Sequence, residues 1–297
     1  MITVHAPAKL NLVLEVLGKQ GRYHDICSIA QTIDLCDTIT VAPAADLSFT
    51  CSQSGLVEDN IVVRAAQLLC QEAGVSLGAH IHLDKRIPWA AGLGGGSSDA
   101  AATLTALRRL WRLDMPDDVL AAVAARLGSD VPLFLVGGTV LLTGRGDRVR
   151  RLPAHPASQL ILLLPQSPAP PGKTGLMYAR LQPEMFTTGQ FGRAAAFALE
   201  RGGRISELLL YNTFEKVAKD AFPDILRSRQ ALEAATGKPA HLTGSGPCLF
   251  SLVAEPEAAE SALRRLQLSG LDAIAAAFMP PPRLRQSVDP PNETWVL

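Results

Sequence analysis

Residues 88–104 read Pro88-Trp-Ala-Ala-Gly-Leu-Gly-Gly-Gly-Ser-Ser-Asp-Ala-Ala-Ala-Thr-Leu104, and this stretch decides the fold. Four glycines, Gly92, Gly94, Gly95 and Gly96, open into Ser97-Ser98-Asp99. Ala100, Leu104, Leu107 and Trp111 then recur every three or four residues, which predicts a helix with one apolar face. Ser97, Ser98 and Asp99 are each good N-caps, so the loop is expected to run straight into a helix N-terminus. Free N–H groups and the positive end of the helix dipole then point into the loop, and glycine lets the backbone close around a bulky anion. A phosphate cradle fits four glycines and a double serine better than a turn in which glycine only serves packing. Spacing excludes two common phosphate loops. The Gly-Lys pairs at Gly18, Gly172 and Gly237 lack the upstream glycine of a Gly-x-x-x-x-Gly-Lys-[Ser/Thr] loop. A Gly-x-Gly-x-x-Gly reading from Gly92 meets Ser97 where its last glycine should stand.

At 297 residues the chain is long enough for two domains, and 47% hydrophobic with 19% charged residues describes a globular protein. Lys plus Arg and Asp plus Glu both number 28, so the basic excess of a dedicated nucleic-acid binder is missing. No run approaches the roughly eighteen apolar residues of a membrane span. The start, Met1-Ile-Thr-Val-His-Ala-Pro-Ala-Lys9, lacks the pattern of a signal peptide. Cys27, Cys36, Cys51, Cys70 and Cys248 are odd in number and never form a Cys-x-x-Cys pair. They are expected to be reduced thiols of a cytoplasmic protein, neither a disulfide frame nor a zinc site. Cys70 is expected in the core on a helix face, and Cys248, beside a second glycine turn, as a packing residue.

Lys9 to Val16 alternates, predicting a half-buried strand with Leu10, Leu12, Leu14 and Val16 on one face and Lys9 and Asn11 on the other. A turn is expected over 18–22, strand over 28–42, and a helix over 61–73 between Asp59-Asn60 and Gly74. His80 and His82 share a strand face; without a carboxylate partner they read as its wet side, not a metal site. Pro116 is placed in the first turn of the next helix, which Gly128 ends. Asp130, between apolar stretches, reads on local grounds as a turn or helix-end residue. The proline-broken segment 148–156 is expected to separate a domain of residues 1–152 from one of 153–297. Beyond it the order is strand (160–164), helices (190–200 and 206–235), two strands (240–243 and 248–253), helix (256–268) and strand (272–278). That order approximates the ferredoxin-like β-α-β-β-α-β. The polar tail from about residue 280 is expected to be loose. Thr243-Gly-Ser-Gly-Pro247 reads as a hairpin turn or, taken with the first loop, as a second backbone wall around phosphates.

Three separated motifs, Pro7-Ala-Lys-Leu-Asn-Leu12, the stretch from Pro88 to Ala101, and Leu242-Thr-Gly-Ser-Gly-Pro247, together resemble the GHMP kinases. The glycine loop matches that family's Pro-x-x-x-Gly-Leu-Gly-Ser/Gly-Ser-Ser pattern in full. Further likeness lies in Tyr23-His24, Gln31-Thr-Ile-Asp-Leu35, Asp59-Asn-Ile-Val-Val-Arg64, Lys85-Arg-Ile-Pro88, Gly128-Ser-Asp-Val-Pro132 and Asn212-Thr-Phe-Glu215, spanning about residues 5–253. It is greatest with the branch that phosphorylates the 2-hydroxyl of 4-diphosphocytidyl-2-C-methyl-D-erythritol in non-mevalonate isoprenoid synthesis. The resemblance implies an α+β fold: a ribosomal protein S5 domain 2-like N-terminal lobe and a ferredoxin-like C-terminal lobe. It implies ATP and Mg²⁺ as cofactors, and a monomer or homodimer.

The resemblance also implies residue roles. Asp130 takes the proton of the substrate hydroxyl, and Lys9 pairs with it and stabilises the attacking oxygen. Pro88, Gly92, Leu93, Gly94, Gly95, Gly96, Ser97 and Ser98 form the nucleotide phosphate loop, with Ser98 the neighbour of the metal. Asn60 and Lys85 lie near the adenine. Tyr23 stacks on the cytosine ring, His24 reads its polar edge, Asn11 contacts the methylerythritol end, and Tyr178 stands by the nucleotide half of the substrate. Gly244 and Ser245 close from the other lobe. The family's Gly-x-Arg-x-Asp-Gly-Tyr-His is one residue shorter here, Gly18-Lys-Gln-Gly-Arg-Tyr-His24, so the loop presenting Tyr23 is rebuilt. The alternatives are a homoserine or mevalonate type of GHMP kinase, or a silent nucleotide-binding homologue.

Overall fold

The first two strands, β1 (Ile2–Gln20) and β2 (Tyr23–Pro43), form one long antiparallel hairpin in which Gln20 pairs with Tyr23. The shortened loop therefore closes over two residues, tighter than the turn expected from Gly18, with Gly21 in the left-handed region at φ +59°. The structure, a computed structural model, describes residues 1–21, 23–53, 55, 60–156, 158–167, 169–281 and 294–296.

β1 departs from the expected half-buried strand. Lys9 to Val16 is buried on both faces, and the register shifts between Asn11 and Val13. One extra residue in a strand reverses which side chains face which way. Leu10 and Leu12 accordingly join an apolar cluster with Leu160, Leu162 and Phe250. Leu14 and Val16 join the other cluster, which holds Ala100, Leu104 and Phe134. The single apolar face expected over residues 9–16 is split between two cores, and Lys9 and Asn11 lie just before the split.

The chain continues through β3 (Leu47–Cys51), α1 (Ile61–Ala73), β4 (Ala79–Asp84), α2 (Gly95–Leu110), α3 (Asp117–Leu127), α4 (Val131–Val136), β5 (Thr139–Thr143) and β6 (Arg148–Arg151). Asn60 caps α1 by accepting from the Val62 N–H at 2.9 Å, and Gly74 ends it at φ 64°. Asp59 lies outside the described residues. Pro116 is the N-cap of α3, one position before the expected first turn. His80 and His82 pair with Ser48 and Thr50, each at 2.9 Å, on the polar side of β4. No cluster of three metal-ligating side chains occurs among the described residues. The first four residues of the expected break at 148–156 are instead strand β6, paired with β5.

Next come β7 (Gln159–Leu164), α5 (Lys173–Ala179), α6 (Gln190–Glu200), β8 (Tyr211–Asn212), α7 (Glu215–Ala221), α8 (Ile225–Thr236), β9 (His241–Leu242), β10 (Leu249–Val253), α9 (Pro256–Leu268), β11 (Asp272–Ala277) and β12 (Thr294–Val296). The helix expected over 206–235 is broken. Asn212 gives its amide to two carbonyls across the molecule, and Pro223, with no N–H to donate, follows the end of α7. Part of the tail expected to be loose is also ordered, since Thr294–Val296 pairs in parallel with Thr3–His5. Residues 282–293 lie outside the described residues.

Two sheets result. The larger runs β12-β1-β2-β4-β3, with β5 and β6 joined through β2 and β8 through β1. The smaller is antiparallel in the order β11-β7-β10-β9, the ferredoxin-like arrangement expected of the second half. Helix α2 is buried through Ala100, Ala101, Ala102, Leu104, Ala106 and Leu107, and its small side chains let it lie close against the hairpin. Cys248 is fully buried as expected, whereas Cys70 is only half-buried and donates weakly to the Leu77 carbonyl. No helix among the described residues is long and apolar enough to cross a membrane.

Candidate active site

Glycine sets the geometry at the mouth of α2. Gly94, at φ +74°, is the N-cap, so Ser97, Ser98 and Asp99 lie inside the helix and are not the caps expected of them. A backbone that must turn left-handed excludes a side-chain cap there. The first intrahelical bond runs from the Ser98 N–H to the Gly94 carbonyl at 3.0 Å. The N–H groups of Gly95, Gly96 and Ser97 thus have no helical acceptor and are available to an anion, aided by the helix dipole. A Cβ on Gly94 would stand 2.8 Å from Phe134 and 3.0 Å from Lys9. Nothing larger than glycine fits between the loop and that lysine.

The second glycine turn packs against the first, backbone to backbone. A Cβ on Gly92 would lie 2.6 Å from the Thr243 carbonyl, and one on Gly244 would lie 2.7 Å from the Gly92 carbonyl. Asn212 holds the turn by donating to Leu242 and Gly244 at 2.8 and 2.9 Å. Thr243 accepts from the Asn11 N–H at 3.1 Å, which ties the turn to β1.

The two turns border a cleft of about 1010 Å³. Of the residues singled out from sequence, it brings together Lys9, Asn11, Tyr23, His24, Asn60, Lys85, Pro88, Gly92, Leu93, Gly94, Gly95, Gly96, Ser97, Asp130, Tyr178, Gly244 and Ser245. Ser98 is not on the lining. It is fully buried, and its Oγ has no hydrogen-bond partner.

Lys9 Nζ lies 3.8 Å from Asp130 Oδ2 and donates to Asn11 Oδ1 at 2.5 Å. Asn11 in turn donates to Ser28 at 2.8 Å, and Ser28 to the Val13 carbonyl at 2.6 Å. The ammonium is fixed from behind while the carboxylate, at the start of α4, is 42% exposed to the cleft. Burial pulls Lys9 below the usual lysine range, against the opposing pull of Asp130.

Beneath the loop, Lys85 is held between Asp37 and Asp99, with Asp99 at 2.8 Å. Burial alone lowers a lysine, but Asp99 and Asp37 more than offset it and Lys85 is raised. Two carboxylates share one ammonium out of water, and burial pushes Asp99 up to about 8 against the pull of Lys85. The Asp37 carboxylate also accepts from the Arg86 and Ile87 N–H groups at 2.5 and 2.7 Å, which fixes the entry to the glycine loop. Sequence reasoning missed this triad because its members are far apart in the chain.

Also on the cleft, the His24 and Tyr178 rings stack at 4.6 Å and 20°, and Phe214 meets Tyr178 edge-on at 4.9 Å. Tyr23 lies under the Arg145 guanidinium, 4.7 Å from the ring centre. Burial and the charge of Lys19 lower His24, so its imidazole is neutral at neutral pH and carries one donor and one acceptor. Burial and the facing Asp130 carboxylate push Tyr178 up to about 12. Arg145, Lys173, Thr174 and Phe214 also line the cleft and were not singled out. Phe214 alone had a signal, since it sits inside Asn212-Thr-Phe-Glu215.

Comparison with known proteins agrees with this geometry. Residues 60–138 match the GHMP kinases N terminal domain and residues 194–270 the GHMP kinases C terminal domain. A 4-diphosphocytidyl-2-C-methyl-D-erythritol kinase of Dehalococcoides mccartyi is 36% identical over 95% of this chain and 99% of its own. One from Pelotomaculum thermopropionicum is 38% identical over 89% of this chain and 93% of its own. A crystal structure of 4-(cytidine 5'-diphospho)-2C-methyl-D-erythritol kinase superposes with a TM-score of 0.79 at 33% identity, covering 93% of this chain and 99% of that one. The homoserine kinase of Cytophaga hutchinsonii reaches a TM-score of 0.70 at 17% identity, covering 94% and 95%, a likeness of fold alone. Similarity that extends through both lobes settles the family: the chain belongs to the GHMP kinases, among the 4-diphosphocytidyl-2-C-methyl-D-erythritol kinases.

Proposed function

We propose that this enzyme transfers the γ-phosphoryl group of ATP to the 2-hydroxyl of 4-diphosphocytidyl-2-C-methyl-D-erythritol. The observation that carries the reading is the Lys9–Asp130 pair, which opens onto the same cleft as the amides of Gly95, Gly96 and Ser97. Asp130 orients the acceptor hydroxyl and takes its proton as the new O–P bond forms and the bond to departing ADP breaks. Lys9, fixed by Asn11, keeps a positive charge beside the attacking oxygen. The loop amides hold the β- and γ-phosphates, with Gly244 and Ser245 opposite them. Asn60 and Lys85 border the nucleotide end. Tyr178 and Tyr23 offer flat faces to the cytosine, and neutral His24 can both give and accept a hydrogen bond at its edge.

The site fits a phosphate-bound Mg²⁺ at one point: the buried Ser98 hydroxyl next to the loop has no hydrogen-bond partner. Ser98 is the residue proposed to hold the ion, which requires its hydroxyl, buried behind the cleft lining here, to turn toward the phosphates. When bound, the ion supplies charge neutralisation between the β- and γ-phosphates. Residues 1–152, with their sheet completed by β8 and β12 from the second half of the chain, are proposed to form the lobe that carries the transfer machinery, and the remainder of 153–297 the lobe that closes on it.

Mass spectrometry of products formed with ATP from a panel of alcohols tests the reading. Phosphorylation of the cytidyl substrate, with homoserine and mevalonate untouched, is expected. Turnover of either of those in its place overturns it.

A further inference from the structure

Three buried ammonium groups line one cleft, and Lys85 is held by Asp37 and Asp99. Lys9 is balanced by Asp130. Lys173, the first residue of α5 and only 9% exposed, has no carboxylate among the charges acting on it. Its Nζ donates to the Gly246 carbonyl, whose oxygen lies 3.0 Å from where a Cβ on Gly92 would stand. The next residue, Thr174, reaches Ser245 Oγ at 2.9 Å. The ammonium therefore sits where the two glycine turns meet, close enough to Lys9 to feel its charge. Burial and that repulsion pull Lys173 down to about 8, so it is still mostly protonated at neutral pH. A buried cation without a counter-ion is unfavourable, and an anion entering the cleft relieves it.

We propose that Lys173 is a second catalytic cation, binding the transferring phosphoryl group together with Lys9. The inference rests on the kinase reading above. Loop amides mark the nucleotide phosphates and Asp130 marks the acceptor. Lys173 contacts the second glycine turn, lines the same cleft and is close enough to Lys9 to feel its charge, so it reaches the same phosphates. The equatorial oxygens of the phosphoryl group carry charge throughout the transfer, and a preset ammonium stabilises that charge without reorganising.

Calorimetric binding of AMP-PNP and of ADP, both with Mg²⁺, separates this role from a structural one. Lys173→Met and Lys173→Gln are expected to weaken AMP-PNP roughly 10- to 100-fold while ADP changes by less than about twofold, with partial rescue in Lys173→Arg. Equal weakening of both nucleotides would mean that the lysine only props the turn, and this or unchanged AMP-PNP binding overturns the proposal. So does a loss confined to the cytidyl substrate, which would put the lysine on that molecule's diphosphate. In the unaltered protein, acylation of Lys173 followed by peptide mapping is expected to be blocked by AMP-PNP and not by ADP. Equal labelling in the two states also overturns the proposal, whatever the stability of the variants. None of these readouts needs turnover, so a failure to phosphorylate the cytidyl substrate would sink the substrate reading and leave Lys173 to be judged separately.

Discussion

Lys9 and Asp130 meet at 3.8 Å across a gradient of burial, the lysine side chain 5% exposed and the aspartate 42%. The asymmetry suits their proposed roles. A desolvated ammonium, held by Asn11 and through it by Ser28, has little freedom to move. The carboxylate at the lip remains open to an incoming hydroxyl. The arrangement depends on the register shift after Asn11, which leaves Lys9 and Asn11 on the cleft side while Leu14 enters the helical core.

Gly94→Ala puts a methyl group against Phe134 and the Lys9 stem in a left-handed backbone. A loss of about 1–3 kcal/mol in stability is expected, with weaker ATP binding, because strain and displacement of Lys9 act together. At Gly96 the nearest atom is 3.8 Å from the added carbon, and Gly96→Ala is expected to hold or raise the melting temperature. Thermal unfolding of the two variants checks the contrast.

Lys85→Met leaves Asp37 and Asp99 facing each other in the interior. Removal of one partner from a buried charge cluster destabilises by about 3–5 kcal/mol. Denaturant unfolding is expected to show a loss of that order, and an unchanged midpoint would mean that the triad is better solvated than its burial implies.

Tyr178→Ala removes the ring stacked on His24. A base-stacking face contributes about 1–3 kcal/mol, so KM for the cytidyl substrate is expected to rise roughly 10- to 100-fold. KM for ATP should stay put. Steady-state kinetics with each substrate varied in turn decides it, and a rise in the ATP constant alone would contradict the assignment.

Lys173 gives the ligand-free protein a distinctive alkaline response. Its folded value is about 8 against an ordinary 10.5, so between these the unfolded chain holds more protons and stability rises with pH. The groups acting on it are Lys9 and Cys248, and burial holds the Cys248 thiol up at about 12, outside this window. Lys173→Met is expected to abolish a rise of up to roughly 3 kcal/mol and to be the more stable protein at pH 7. Urea unfolding at a series of pH values measures it, and parallel curves for the two proteins would contradict it.

Much of this was legible in the chain, for identifiable reasons. The glycine loop, the cap at Asn60 and the antiparallel order of the second sheet follow from local chemistry and connectivity. The N-cap was misplaced because three good capping side chains, Ser97, Ser98 and Asp99, follow a glycine whose backbone does the capping. The strict alternation from Lys9 to Val16 concealed a bulge, since both faces of β1 are covered and apolar residues suit either. The Asp37–Lys85–Asp99 triad and the contact of Lys173 with Gly246 join distant segments, and no local spacing announces them.

The central claim, that Asp130 and Lys9 face the phosphate loop as one transfer site, is tested most directly by single-turnover kinetics of Asp130→Asn. The variant is expected to bind ATP and the cytidyl substrate as the parent does and to form product roughly 100- to 10,000-fold more slowly. Product formation at the parental rate would contradict the account.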